Sequence, residues 1–381
     1  MSTDRKRKRA KRRILIFVIE IILLLILLAA LFVWSKYQRI DHTENIEAED
    51  VINEDLGQTT QEVLSGYTNI AVFGLDNEKS GVFTSGNSDL IMIASINNDT
   101  KEVRVVSVYR DTYLNVGSDE DYYLWKANYA YNHGGPEQAV RVLNKNFDLD
   151  IEDYVAVDFY AVCKVIDLLG GLEIEVEEGK MMDEINVYIA ETAAYTGLEP
   201  HMVEHAGLQT LDGVQSTAYC RIRHDSSDFR RAQRQREVLS KIIEKTKSSS
   251  IFTINKIIDA VLEDISTDLS QMQLISMAAQ LMSYKLADTT GFPFELYGFD
   301  LSRKYIVAPC DLEKNVRELH VYLFGDYDYE PSNTVLNYSQ AIREDTGKGP
   351  GDEQVTGVEK DHYAEGQQEP ETVSEPETSS E

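Results

Sequence analysis

Two kinds of hydrophobic pattern run along this chain. Residues 14–34 are apolar at every position except Glu20. A helix needs roughly 20 such residues to cross a bilayer, so the run predicts a transmembrane helix. A signal peptide has a shorter apolar core and a small-residue cleavage site, and Ala29-Ala30 is a poor match to one. From residue 68 the pattern changes to short apolar runs punctuated by turn residues. Residues 69–75 predict a buried strand, ended by Asp76. Residues 89–96 and 103–108 predict two more strands, joined through Asn97-Asn98-Asp99-Thr100-Lys101 as a hairpin. Pro136 in a first turn predicts a helix over 137–146. A strand at 154–158, a helix at 160–169 stopped by Gly170-Gly171, and a strand at 172–176 follow. Helices are predicted at 229–247, 251–262 and 272–282, strands near 294–296 and 305–307, and a final helix at 312–324. Interleaved strands and helices predict a layered α/β domain over 67–330, with a mixed central sheet flanked by helices. Residues 35–66, polar and acidic, read as a stalk. Residues 347–381 are too poor in apolar side chains to fold and read as a disordered acidic tail.

Charge sets the orientation. The chain carries 65 acidic and 37 basic residues, a net of −28, which argues against nucleic acid as a partner of the main domain. Residues 1–13 go the other way, from Arg5 to Arg13, as a basic tail directly before the apolar run. Positive residues stay inside, so the N-terminus is expected in the cytoplasm and everything past residue 35 outside the cell. That placement disfavours reading the basic tail as a nucleic-acid arm. Cys163, Cys220 and Cys310 are too few and scattered for a disulfide scaffold or zinc site, and are expected to be small buried hydrophobes.

Against the acidic background, six arginines crowd into 221–236: Arg221, Arg223, Arg230, Arg231, Arg234 and Arg236. Arginine suits planar recognition of phosphate, although a solvated helix face would also concentrate charge. On a helix Arg231, Arg234 and Gln235 share one face, and Arg230 and Arg236 point elsewhere as surface charge. Arg221 and Arg223 project together from a strand but diverge by about 200° on a helix. Asp76 and Asp89 stand at strand ends, where carboxylates either cap turns or hold a divalent cation such as Mg²⁺. Arg110 leaves a core strand into a loop, where it serves either a site or a salt bridge with Asp111.

These residues carry a resemblance. Residues 69–76, Ser88-Asp89, Ser107-Val108-Tyr109-Arg110-Asp111-Thr112 and Lys126-Ala127-Asn128-Tyr129-Ala130-Tyr131 are similar to motifs of the LytR–CpsA–Psr family. Gly134-Gly135-Pro136-Glu137, residues 155–159, residues 167–172, Leu211-Asp212-Gly213, Arg221-Ile222-Arg223-His224, Asp228-Phe229 and residues 231–235 continue in family order. The resemblance implies a membrane-anchored extracellular phosphotransferase. Such an enzyme moves a glycopolymer (teichoic acid, capsular or related polysaccharide) from a polyprenyl pyrophosphate carrier to peptidoglycan. It implies Asp76 and Asp89 as metal-site carboxylates holding Mg²⁺. It implies Arg110, Arg221, Arg223 and Arg231 around the pyrophosphate, with Lys126, Arg234, Gln235 and Asp228 completing that shell. Asp89 or Asp228 would take the proton of the attacking hydroxyl. The polyprenyl tail would lie in an apolar groove between sheet and helices. Tyr109 stands where the family often has Pro, and Arg230 where it often has Gly. Two other readings compete with transfer: a non-catalytic wall-polymer-binding or regulatory protein, and a polyprenyl pyrophosphate hydrolase.

Overall fold

Alternation of side chains along the strands builds a central mixed sheet with two different faces. In the computed structural model, which describes residues 31, 33–42, 46–76, 83–84, 86–118, 121–223, 228–354 and 361–362, this sheet has eight strands. Their order is β1 (Asp41–His42), β10 (Ile265–Thr267), β7 (Asp153–Asp158), β2 (Tyr67–Leu75), β3 (Ser88–Asn97), β4 (Glu102–Val108), β11 (Lys285–Phe292) and β14 (Asp361–His362). The predicted hairpin is present, with β3 antiparallel to both β2 and β4. β7 runs parallel to β2 and β11 parallel to β4, so the sheet is mixed. The C-terminal ends of β2 and β4 and the N-terminal end of β3 therefore meet at one edge. Three two-stranded ribbons complete the β-structure: β5 (Tyr113–Asn115) with β6 (Leu124–Lys126), β8 (Leu172–Val176) with β9 (Gly207–Leu211), and β12 (Leu296–Leu301) with β13 (Lys304–Pro309).

One face of the sheet turns Phe73, Leu75, Ile93, Val106 and Tyr154 into the main core. Helices α1 (Ala48–Val51), α2 (Gln58–Leu64), α3 (Tyr129–Phe147), α10 (Leu312–Phe324) and α11 (Asn333–Thr346) cover it. On the opposite side lie α7 (Asp228–Ser248), α8 (Ile251–Val261) and α9 (Gln271–Gln280). A second core joins α4 (Phe159–Leu168), α5 (Lys180–Thr196) and α6 (Gly213–Tyr219) to the β8–β9 ribbon.

Several elements differ from the sequence expectation. The helix placed at 137–146 begins earlier, at Tyr129, and bends at Gly134 and Gly135; Pro136 opens only its second part. The strand expected near 294–296 begins only at Leu296, as β12; Phe294 and Glu295 form a bend before it, where Asn315 Oδ1 takes their N–H groups at 2.7 and 2.9 Å. The helix at 312–324 is not the last, since α11 follows and buries Val335, Tyr338 and Ile342. Within residues 35–66, Val51, Leu56 and Leu64 are buried in the main core, so this segment packs onto the domain instead of standing apart as a stalk. Residues 1–30, with the basic tail and most of the 14–34 span, lie outside the described residues, as do 355–360 and 363–381 of the acidic tail. Residues 347–354, expected to be disordered, are instead ordered against β12, the Gln354 N–H donating to the Leu296 carbonyl at 2.8 Å. Among the described residues no helix is long and apolar enough to cross a membrane.

Candidate phosphate site and apolar groove

Asp89 is the centre of the site. It is the second residue of β3, and three arginines from three parts of the chain meet on it. Arg110, just past β4, donates from Nη1 to both carboxylate oxygens at 2.8 and 3.1 Å. Arg223 donates to Oδ2 at 3.0 Å. Arg231, in the first turns of α7 and only 4% exposed, approaches Oδ2 at 3.5 Å and the backbone carbonyl at 3.3 Å. Burial alone would raise the Asp89 carboxyl, but Arg231, Arg110 and Arg223 outweigh it and hold it below the ordinary range. Asp76, exposed at the end of β2, is pushed up, first by the protein around it and then by the Asp89 charge, against Arg221, Arg223 and Arg110.

Local sequence explains how these side chains arrive. Tyr109 packs edge-on to Phe229 of α7, with ring centroids 4.8 Å apart, which ties the end of β4 to the start of the arginine helix. Asp212 caps α6 by accepting from the Gln215 N–H at 2.8 Å, and Gln215 answers with its own side chain. Gly213 lets α6 approach α4 closely, for a Cβ there would sit 2.1 Å from the Cys163 carbonyl oxygen. This helix ends at Tyr219, so Arg221 and Arg223 lie in neither the strand nor the helix that the sequence left open.

The predicted shell is only partly assembled around Asp89. Lys126 binds Asp111 at 2.9 Å, and Arg110 Nε lies 3.7 Å from the same carboxylate. Asp111 therefore spaces two cations, a role in which the sequence reading saw only a partner for Arg110. Arg221 turns to α5, donating to Thr192 Oγ1 at 2.9 Å, with the Phe159 and Tyr195 rings each 5.0 Å from its guanidinium. Thr192 and Tyr195 were missed because α5 was not foreseen. Its signal was present as Met181, Ile185, Ile189 and Ala193 at four-residue spacing. Arg234 is buried, binds the Ile222 carbonyl and faces the Tyr219 ring, so it braces the arginine loop. Gln235 is half-buried on α7. Arg236, expected at the surface, is 1% exposed, while Arg230 is exposed as expected. Asp228 opens α7, and its side chain lies outside the described structure.

Further along α7 the chemistry becomes apolar. Between sheet and helices runs a cavity of about 760 Å³, lined by Ile242 and Ile243 of α7, Ile254 and Ile257 of α8, Leu274 of α9 and Val155 of β7. Arg231 and Ile242 are eleven residues apart on one helix, or about 16 Å at 1.5 Å per residue. The cationic site and the apolar groove thus share a wall. The cysteines are free, Cys163 and Cys310 buried and Cys220 half-buried.

The model of the LytR_cpsA_psr family matches residues 31–303. This chain belongs to that family. Among its relatives, the polyisoprenyl-teichoic acid–peptidoglycan teichoic acid transferase TagT of Bacillus subtilis is 29% identical over 245 residues, 62% of this chain and 72% of TagT. The corresponding TagU of Enterococcus faecalis is 27% identical over 206 residues, 53% of this chain and 61% of TagU. A solved structure of TagT with bound octaprenyl pyrophosphate lipid superposes with a TM-score of 0.52 at 22% identity, covering 74% of this chain and 99% of that one. At that identity the likeness establishes the LytR_cpsA_psr fold.

Proposed function

We propose that this protein is a phosphotransferase of the extracellular face, anchored by residues 14–34, that moves a glycopolymer from a polyprenyl pyrophosphate carrier to a peptidoglycan hydroxyl. The observation that carries the reading is the convergence of Arg110, Arg223 and Arg231 on Asp89, beside an apolar groove walled by the same helix as Arg231. The groove suits an isoprenoid chain and the arginines suit a pyrophosphate. TagT and TagU carry names for this transfer.

The acceptor oxygen bonds to the phosphorus next to the glycopolymer. The bridging P–O bond breaks, polyprenyl phosphate leaves, and the acceptor proton passes to a carboxylate or to water. Such a reaction requires mainly alignment and neutralisation of charge, and guanidiniums supply both. Asp89 keeps the three arginines aligned until phosphate oxygens replace its own. A carboxylate held below its ordinary range by three arginines accepts a proton less readily, which favours positioning over general-base work for Asp89. The Asp89 charge raises the cost of ionising Asp76, which a divalent cation at these two carboxylates would relieve; among the described residues no group of three or more His, Cys, Asp or Glu suited to a metal occurs. A Mg²⁺ held by these two carboxylates would neutralise charge on the pyrophosphate.

The test is transfer by the full-length chain in detergent. A polyprenyl-pyrophosphoryl oligosaccharide and a peptidoglycan fragment are incubated with Mg²⁺ or EDTA and the products read by mass spectrometry. A phosphodiester adduct that disappears with EDTA is the expected result. Polymer bound without transfer overturns the reading in favour of a binding protein, and free polymer with polyprenyl phosphate in favour of a hydrolase.

A further inference from the structure

Helices α8 and α9 are apolar on more sides than the fold uses. α8 reads Ile-Phe-Thr-Ile-Asn-Lys-Ile-Ile-Asp-Ala-Val, yet only Val261 is buried. α9 contains Met272, Leu274, Ile275, Met277, Ala278 and Ala279, and none of its residues is buried. Each helix turns one face to the groove and leaves another outside. Ile251 is 71% exposed, Phe252 78%, Met272 74% and, just after α9, Met282 66%. Isolated exposed apolar residues are ordinary, but a concentration of them marks an interaction surface. An apolar helix that is not buried in protein needs an apolar neighbour elsewhere.

Two further observations identify that neighbour. First, the groove wall continues into the segment that leads to the apolar run. Val33, Tyr37 and Ile40 line the groove beside α8, while Trp34 is 54% exposed. Lys36 pairs with Asp259, and Arg39 with Asp259 and Glu263 at 3.3 and 3.0 Å, holding this segment against α8. Residues 33–40, which directly follow the bulk of the apolar run, thus lie against the domain at the patch. Second, the stretches that carry the exposed apolar side chains contain no acidic group, and the carboxylates at their edge, Asp259 and Glu263, are paired with Lys36 and Arg39. Residues 245–258 contain Lys245, Lys247 and Lys256 and no carboxylate, and 269–284 contain no charged residue at all. Apolar side chains flanked by lysine, without acids, suit the boundary between headgroups and acyl chains of an anionic bilayer.

We propose that α8 and α9 dip into the membrane interface as a second contact beside the N-terminal anchor, so that the groove opens directly at the bilayer. A lipid tail then passes into the groove without crossing water. The inference rests on the anchoring part of the proposed function and not on the transfer chemistry.

Brominated-lipid quenching tests it with the full-length chain reconstituted into phosphatidylglycerol–phosphatidylethanolamine vesicles. Phe252→Trp and Met272→Trp are made in turn in a Trp34→Phe/Trp125→Phe background, and Trp125→Phe alone keeps Trp34 as the anchor control. Both reporters sit on exposed positions, which spares the fold. The expected result is at least about a twofold loss of emission for both reporters in vesicles with brominated acyl chains, as for Trp34. Quenching of Trp34 with unchanged emission from both reporters overturns the second contact and leaves the anchor standing. No quenching at any of the three positions overturns both, and neither result bears on whether phosphoryl transfer occurs.

Discussion

Arginine is required at position 110 because its guanidinium serves two carboxylates at once. Nη1 holds Asp89 at 2.8 Å while Nε lies 3.7 Å from Asp111, which in turn holds Lys126. A lysine ammonium is a single point charge and cannot bridge both. Arg110→Lys is therefore expected to lower kcat on the order of 100-fold, the usual scale for losing one preorganised donor to a charged transition state, with a smaller change in KM. Steady-state transfer on the lipid-linked donor measures it, and near-normal turnover would confine Arg110 to bulk charge. Asp76 calls for the opposite balance. Its carboxyl is destabilised by its surroundings and by Asp89, so Asp76→Asn is expected to cut transfer by roughly 100-fold with an unchanged or higher thermal midpoint. A lower midpoint would make Asp76 a structural cap. Asp89, Arg110, Arg223 and Arg231 were legible because a motif and a charge pattern agreed on them. The burial of Arg236 was not, since helical spacing tells which side chains share a face and not which face the fold covers.

Elements were legible where the hydrophobic period was long or the stops were sharp. The helix expected at 312–324 is Leu312–Phe324, and the arginine helix differs from expectation by one residue at each end. α5 and α11 escaped because their apolar stripes are narrow and interrupted by polar residues, and their helicity is supported by packing. Packing between elements also explains a position that the sequence offered no reason to single out. Gly291 on β11 lies under Tyr109, and a Cβ there would be 2.0 Å from the tyrosine Oη and 2.5 Å from Cζ. Gly291→Ala must push that ring away from Phe229 and loosen β4 from α7, a strain costing about 1–3 kcal/mol. Urea unfolding should show that loss, and transfer should fall with it because Arg110 and Phe229 follow the same contact. Full stability in the alanine variant would show that Tyr109 has another place to go.

At the scale of the whole molecule, an acidic chain has to place its carboxylates where ionisation costs little, and Asp268 departs from this. It lies just beyond β10, 7% exposed, and accepts the Tyr154 N–H at 2.9 Å. Burial, with Asp153 adding to it against that hydrogen bond, pushes its carboxyl up to about 6. Between the unfolded value near 4 and the folded value near 6 the native state binds more protons than the unfolded state, so stability falls as pH rises through this window. By neutral pH the whole contribution is lost. Asn at this position keeps an oxygen for Tyr154 without the charge. Asp268→Asn is therefore expected to gain on the order of 1–3 kcal/mol at pH 7.5, since each tenfold weakening of the acid on folding costs about 1.4 kcal/mol once it is ionised. The same variant should lose this group's slope between pH 4 and 6. His320 contributes with the opposite sign: buried against the Phe147 carbonyl at 2.9 Å, it is held down to about 4 by desolvation. Its stabilising effect is complete above about 6.5 and is lost as pH falls toward 4. Thermal midpoints from pH 4 to 8 should therefore rise in Asp268→Asn mainly at the neutral end, with the acid limb unchanged. A variant that is equally stable to the wild type at pH 7.5 would mean that Asp268 ionises without cost and that its place between β7 and β10 is hydrated.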